Sequence, residues 1–247
     1  MTIEPTISVI VPVHNGARYL DEALESVRAQ NFGKLQIIVV DDGSTDETAR
    51  VAHSFPNIEY SYQAQSGAAS ARNRGVDLSR GEIIAFLDAD DVWTPDKLRA
   101  QIEVLQKRQA DIVLGHVEQF LSPEIDSAQN RARVPHEILP AFIPSAIMLR
   151  REDFLRVGFF ETGWQIGEFI DWFARATEMG LTHHVLPQIV LRRRIHATNQ
   201  GVSKRQFQND FVRIVKASLD RRRAMNKSTN SATSSTRSSA NLAEVAP

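Results

Sequence analysis

The chain has no cysteine in its 247 residues. That excludes disulfides, thiolate nucleophiles and Cys-based zinc sites, and it fits a reducing cytoplasm. No apolar run reaches the ~18 residues of a membrane-spanning helix. Met1-Thr2-Ile3-Glu4-Pro5 shows neither a basic start nor an apolar signal core. The net charge is only −1, so no overall attraction to nucleic acid is expected. Basic residues cluster locally instead, at Arg192-Arg193-Arg194 and Arg221-Arg222-Arg223. Such clusters meet phosphates, anionic lipid or water. The familiar nucleotide and hydrolase signatures are also missing. No Gly-x-Gly-x-x-Gly follows the first apolar strand, and there is no Gly-x-x-x-x-Gly-Lys-Ser/Thr loop. Neither His-Glu-x-x-His nor a Gly-x-Ser-x-Gly elbow occurs.

What is present is a regular alternation of strand and helix signals, backed by 42% hydrophobic residues. Ile7 to Val11, Leu35 to Val40, Ile58 to Gln63 and Glu82 to Leu87 read as strands. Ala17 to Gln30, Asp46 to Ser54, Gly67 to Leu78 and a segment from Pro95 to about Gln109 read as the helices between and after them. Asp111 to Phe120 returns to a strand pattern. This order predicts an α/β fold with a mainly parallel, Rossmann-like sheet flanked by helices.

The second half is less regular. Ser122 to Pro140 predicts a long surface loop, Phe142 to Leu149 a strand, and Glu152 to Val157 a short helix. Glu168 to Met179 predicts a helix closed by Gly180, and His183 to Leu191 a strand. Phe207, Phe211, Ile214, Val215 and Leu219 form an apolar stripe on a late helix, a core or dimer face, with a membrane contact as the alternative its arginines keep open. The expected organisation is a first half over 1–120, a second half with C-terminal helices over 121–225, and a disordered Ser/Thr-rich tail over 226–247.

In an open parallel sheet, ligands sit beyond the carboxyl ends of the strands. Three polar clusters fall there: Pro12-Val13-His14-Asn15-Gly16, Asp41-Asp42-Gly43-Ser44 and Asp88-Ala89-Asp90-Asp91. Like charges ~4 Å apart repel by roughly 4 kcal/mol at an effective dielectric near 20, so the last cluster calls for a shared proton or a cation. Its hard oxygens suit Mg²⁺ or Mn²⁺, with coordination positions left for substrate phosphates. Asp90 is the expected metal ligand, and Asp88 shares the ion or takes ribose hydroxyls. Asp42 can accept a base imide N–H, His14 offers a ring for stacking, and Arg72 a planar fork for a diphosphate.

These segments closely resemble the opening of glycosyltransferase family 2. The resemblance is carried, in order and spacing, by Ser8 to Asn15, Ile38 to Asp46, Gly67 to Gly75, Ile84 to Asp91 and Pro95 to Leu98. It implies a GT-A fold, a nucleoside-diphosphate-sugar donor, a divalent cation at Asp-x-Asp, and a nucleotide pocket lined by Pro12, His14, Asp42 and Arg72. Gly167 to Arg175 resembles the segment carrying the family's catalytic base, with Glu168-Phe169 where many members have Glu-Asp. Glu168 is the favoured base and Asp171 the alternative, which could instead orient Glu168 or pair with Arg175. Arg194-Ile195-His196-Ala197-Thr198-Asn199 resembles a later segment near the donor phosphates, with His196 as a further metal ligand.

The expected reaction moves a sugar, most readily from a UDP-sugar, to a saccharide, lipid-linked or other hydroxyl acceptor, with inversion. Trp164, Trp172 and Phe169 offer apolar surface to that acceptor. Two rivals stand beside it: a nucleotide-sugar-binding protein without turnover, given the missing Glu-Asp pair, and a nucleotidyltransferase. A cytoplasmic protein, peripheral at the inner membrane face or homodimeric, completes the expectation; nucleic acid is not an expected partner.

Overall fold

In the computed structural model, residues 6–125, 127, 138–197, 199 and 209–240 are described, with side chains to Met225. Four strands, β1 (Ile7–Val13), β2 (Leu35–Asp42), β3 (Ile58–Gln63) and β4 (Ile83–Phe86), pair in parallel in the order β3-β2-β1-β4. Helices α1 (Leu20–Arg28), α2 (Thr48–Ser54) and α3 (Ala68–Leu78) make the crossovers. Every residue of β1 is buried, as expected for a central parallel strand covered on both faces. Val9 and Val11 face one apolar layer with Leu20, Leu24 and Leu98; Ile10 faces the other with Phe86, Phe154 and Trp172. A Cβ on Gly75 would lie 2.3 Å from Ile10 Cγ2, so glycine is what lets α3 sit directly on β1.

The strand order turns at β1, which has β2 on one side and β4 on the other. In open α/β sheets such a turn in strand order is where ligands bind, beyond the carboxyl edge.

Past β4 the sheet is mixed rather than parallel. The order continues β8 (Met148–Arg150), β6 (Ile112–Leu121), β9 (His183–Ile195), β5 (Val92–Trp93), with β7 (Leu139–Pro140) on β6. β8 is antiparallel to both β4 and β6, while β9 is parallel to β6. The apolar pattern alone could not separate these directions. The strand expected from Phe142 is shorter: Pro144–Ala146 forms a single 3₁₀ turn, where proline cannot donate to a ladder. Helices α4 (Lys97–Gln106), α5 (Arg151–Val157), α6 (Glu168–Glu178) and α7 (Asn209–Ala240) complete the fold. The backbone of α7 runs past Asn226, where composition predicts a disordered tail. Once nucleated, a helix adds one backbone hydrogen bond per residue and needs no apolar side chains to continue. Most of the predicted 122–140 loop, together with Thr198 and Phe207, lies outside the described residues. Among the described residues no helix is long and apolar enough to cross a membrane.

Candidate active site

The loop after β1 is tied to the loop after β2. Asn15, at φ 50°, accepts the Thr45 N–H at 2.8 Å on its side-chain oxygen, and its own N–H donates to Ser44 Oγ at 2.8 Å. His14 Nδ1 donates to the Asp42 carbonyl at 2.8 Å, which leaves Nε2 to accept from the Asn15 and Gln65 amides, each at 3.2 Å. The imidazole is thereby held in one tautomer at the exposed rim. Pro12 is buried in β1, in register with Val40.

Asp42 is buried, and its carboxylate folds the opposite wall. Oδ1 accepts from Gln63 Nε2 at 2.8 Å and the Ser66 N–H at 2.7 Å, and Oδ2 accepts the Gly67 N–H at 2.8 Å. These bonds use three of a carboxylate's roughly four lone-pair sites, leaving one on Oδ2. Gly67 has φ 93°, a conformation that glycine alone adopts cheaply, and this lets its N–H turn inward.

Arg72 joins the two halves of the chain. Its buried guanidinium donates from Nη2 to Asp88 Oδ1 at 2.6 Å and from Nη1 to Glu168 Oε1 at 2.7 Å. Burial disfavours its charge, but the two carboxylates outweigh that and raise its pKa. Its Nε is buried with no hydrogen-bond partner. An orphaned buried donor costs about 1–3 kcal/mol, a cost that an incoming acceptor removes. Asp88 is further fixed by its own N–H, which donates to Ser145 Oγ at 3.0 Å.

Asp90 pairs with a different partner. Its Oδ2 lies 2.9 Å from His196 Nε2 and 3.4 Å from Asn199 Nδ2. The His196 N–H donates to Asn199 Oδ1 at 2.6 Å, and the Tyr19 ring sits 4.9 Å from the imidazole. Tyr19 is itself bonded through its hydroxyl to Glu124, which also pairs with Arg18 at 3.0 Å. Tyr19 carries no signal of its own in the sequence, since an aromatic at a helix start reads as core.

The acidic loop separates the roles of its three aspartates by burial. Asp91 is buried and accepts the Arg194 N–H at 3.0 Å; burial, and then the charges of Asp90 and Asp88, push its pKa well above the usual carboxylate range. Asp88 and Asp90 keep about a third of their side chains open to solvent. Among the described residues no set of three His, Cys, Asp or Glu side chains converges as a metal cage. Asp88 Oδ1 is spent on Arg72, which leaves Asp90 and His196 as the adjacent donor pair. Mg²⁺ is commonly held by one or two carboxylates, with water and substrate phosphates filling the rest, so the part-exposed Asp90 carboxylate fits such an ion, with the His196 imidazole a softer donor beside it.

Two predicted site residues take other roles. Arg194 is buried beneath the loop: Nε donates to the Asp90 carbonyl at 3.1 Å, Nη2 pairs with Glu22, and the guanidinium lies 4.8 Å over Tyr19 and 4.5 Å over Phe120. It braces Asp-x-Asp from below and does not face the crevice as a phosphate ligand. Asp171 is buried with both oxygens engaged, Oδ2 by Arg175 Nε at 3.0 Å and Oδ1 by Arg221 Nη1 at 3.1 Å. Although it shares a helix with Glu168, only Glu168 reaches Arg72. Trp172 and Phe169 are core residues, stacked at 6.3 Å, and do not offer surface to an acceptor.

Helix α7 clamps the turn that precedes Glu168. Asp210 Oδ2 accepts the Gln165 N–H at 3.0 Å. A Cβ on Gly167 would lie 2.8 Å from Ile214 Cδ1, and Gly167 itself has φ 83°. Arg221 reaches Asp171 and also Glu178, the latter at 2.7 Å.

Comparison with known proteins agrees with this geometry. The model of "Glycosyl transferase family 2" matches residues 8–162. A Rickettsia typhi protein described as an uncharacterized glycosyltransferase is 42% identical over 107 residues, covering 43% of this chain and 34% of that one. The putative teichuronic acid biosynthesis glycosyltransferase TuaG of Bacillus subtilis is 36% identical over 110 residues, 42% of this chain and 44% of its own length. The aligned part is thus less than half of each of these relatives. The structure of S. aureus TarS residues 1–349 in complex with UDP-GlcNAc superposes with a TM-score of 0.65 at 20% identity, covering 79% of this chain and 60% of that one. Its likeness supports the GT-A fold. With the family model spanning most of the chain, from the first strand past Asp-x-Asp, this protein belongs to glycosyl transferase family 2.

Proposed function

We propose that this protein transfers a glycosyl group from a nucleoside-diphosphate sugar, most directly a UDP-sugar, to an acceptor hydroxyl. The observation that carries the reading is the Arg72 bridge, which sets the crevice residue Asp88 and the candidate base Glu168 on one guanidinium. TarS, which shares the fold, binds UDP-GlcNAc, and that supports a UDP donor here.

Pro12, His14 and Asn15 form the base side of the donor pocket, with Asp42 holding its far wall and keeping one lone pair for a base N–H. Asp88 takes ribose hydroxyls. The unpartnered Nε of Arg72 offers a further donor to an incoming oxygen. A Mg²⁺ or Mn²⁺ ion bound by Asp90 and His196 would neutralise charge on the departing diphosphate. Glu168 removes the acceptor proton as that oxygen bonds to the anomeric carbon and the carbon–phosphate oxygen bond breaks. Attack from the face opposite the leaving group inverts the centre and needs no covalent intermediate. The acceptor is a saccharide, a lipid-linked sugar or another hydroxyl compound, and a reducing cytoplasm suits a chain without cysteine.

A thermal-shift panel of UDP, GDP, dTDP and CDP, with and without Mn²⁺, tests the donor. A metal-dependent shift for UDP is expected; no shift with any of the four overturns the reading. UDP binding without transfer from any UDP-sugar is the signature of the non-catalytic rival.

A further inference from the structure

Helix α7 packs one face on the rest of the fold and, among the described residues, leaves a second, apolar face exposed. Asp210, Ile214 and Ser218, spaced four apart, are buried against α6. Phe211, Val212, Val215 and Leu219 lie together on the adjoining face, at 100° per residue. They are 40%, 70%, 57% and 47% exposed. A solvated helix normally turns charge outward here.

The charged residues beside this stripe are mostly of one sign. Lys216 lies one turn from Val212, Arg222 and Arg223 one turn from Leu219, and Arg213 next to Val212; Asp220 is the acid among them. Arg213 is held by the buried Asp210 at 3.0 Å and lies 5.0 Å over the Trp164 ring, whereas the bonds of Arg222 and Arg223 are long. Arg222 reaches Glu178 at 3.8 Å, Arg223 reaches Asp220 at 3.5 Å, and surface pairs of this kind are readily exchanged. An apolar stripe rimmed by exchangeable cations is the arrangement of a helix lying in the plane of an anionic bilayer. A second copy of the chain is the poorer occupant. A stable dimer buries about 800 Å² per partner, more than four half-exposed side chains on one helix provide.

We propose that the outer face of α7 docks on an anionic lipid surface, with Phe211, Val212, Val215 and Leu219 entering the interface and Lys216, Arg222 and Arg223 meeting lipid phosphates. Phe211 also packs against Gly167, the residue before Glu168. On the reading of Glu168 as base, docking therefore brings the acceptor side of the crevice to the lipid surface, where a lipid-borne acceptor would meet it. The docking itself does not depend on that reading.

The test is co-sedimentation of the full chain with phosphatidylcholine vesicles, with and without phosphatidylglycerol. The chain should pellet with the anionic vesicles, at least tenfold more than with phosphatidylcholine alone, and less as salt rises. Val215→Glu with Leu219→Glu should abolish pelleting while melting temperature and far-UV circular dichroism stay as in the parent. Lys216→Glu with Arg223→Glu should remove the preference for anionic vesicles and leave the fold intact. Failure of the parent to pellet overturns the proposal, as does a Val215→Glu/Leu219→Glu variant that pellets normally. A dimer in size-exclusion chromatography that this variant dissolves would assign the face to a second copy, against the proposal. None of these readouts uses turnover, so they stand apart from the donor and base assignments.

Discussion

Arg72 Nη1 lies 2.7 Å from Glu168 Oε1, although 96 residues separate them in the chain. The same guanidinium lies 2.6 Å from Asp88. One buried cation thus sets the distance between Asp88 and the candidate base, and it also keeps the two carboxylates from repelling each other.

Replacing Arg72 should be costly for that reason. Arg72→Gln is expected to lower kcat about 10²-fold, the scale for losing one electrostatic contact in an active site. Arg72→Lys keeps the charge but not the fork, and should recover only part of that loss. Steady-state kinetics with a UDP-sugar, together with guanidinium rescue of the Gln variant, measure this; an Arg72→Gln enzyme at parental kcat refutes the bridge.

The two acids of α6 should separate cleanly. Glu168→Gln should abolish turnover while UDP still binds. Asp171→Asn should retain turnover but lose on the order of 3 kcal/mol of stability, the low end for breaking a buried ion pair, because Arg221 is partly exposed. Urea midpoints and kcat for both variants decide the matter; a stable, inactive Asp171→Asn would reverse the assignment.

The α7 clamp should act on chemistry more than on donor affinity. Asp210→Asn weakens the bond to the Gln165 N–H, and the turn that carries Glu168 loosens. We expect kcat to fall about tenfold with donor KM within twofold, since a small misplacement of a catalytic group costs rate. Equal losses in kcat and donor affinity would point to general unfolding instead.

Lys97 predicts a pH-dependent stability. It is fully buried, with Nζ donating to Gln101 Oε1 at 2.6 Å and lying 4.3 Å from the centre of the Trp93 ring. Burial holds its pKa well below the ordinary lysine value. Between that lowered pKa and about 10.4 the unfolded chain binds the extra proton, so stability rises with pH by up to about 1.4 kcal/mol per unit. Below the folded pKa both states are charged and the slope disappears. Lys97→Met should remove the slope and be more stable than the parent at pH 7. Urea midpoints from pH 6 to 10 for both proteins check this; parallel curves would contradict it.

Much of the first half of the chain was legible because its signals are local. Strands β1 to β4 and helices α1 to α3 follow from apolar periodicity, and the three polar clusters follow from where those strands stop. Asp42, Asp88 and Asp90 could be placed at the carboxyl edge because that is where the apolar runs of β2 and β4 stop. The second half gave weaker signals. Short strands such as Met148–Arg150 carry too few residues to show a period, and no pattern fixes whether they run parallel or antiparallel.

The sequence by itself determined the family, the βα alternation and the list of chemically able residues, because each depends on residue type and spacing within a few turns. Tertiary structure decided which partners those residues meet. Glu168 meets Arg72 while Asp171 is tied to Arg175 and Arg221; Asp90 meets His196 while Asp91 is buried; and Arg194 becomes a brace. Those choices rest on contacts between segments far apart in the chain. Which charge is neutralised, and which stays part-exposed, is set by the packing of α6, α7 and β9 against the first half of the chain.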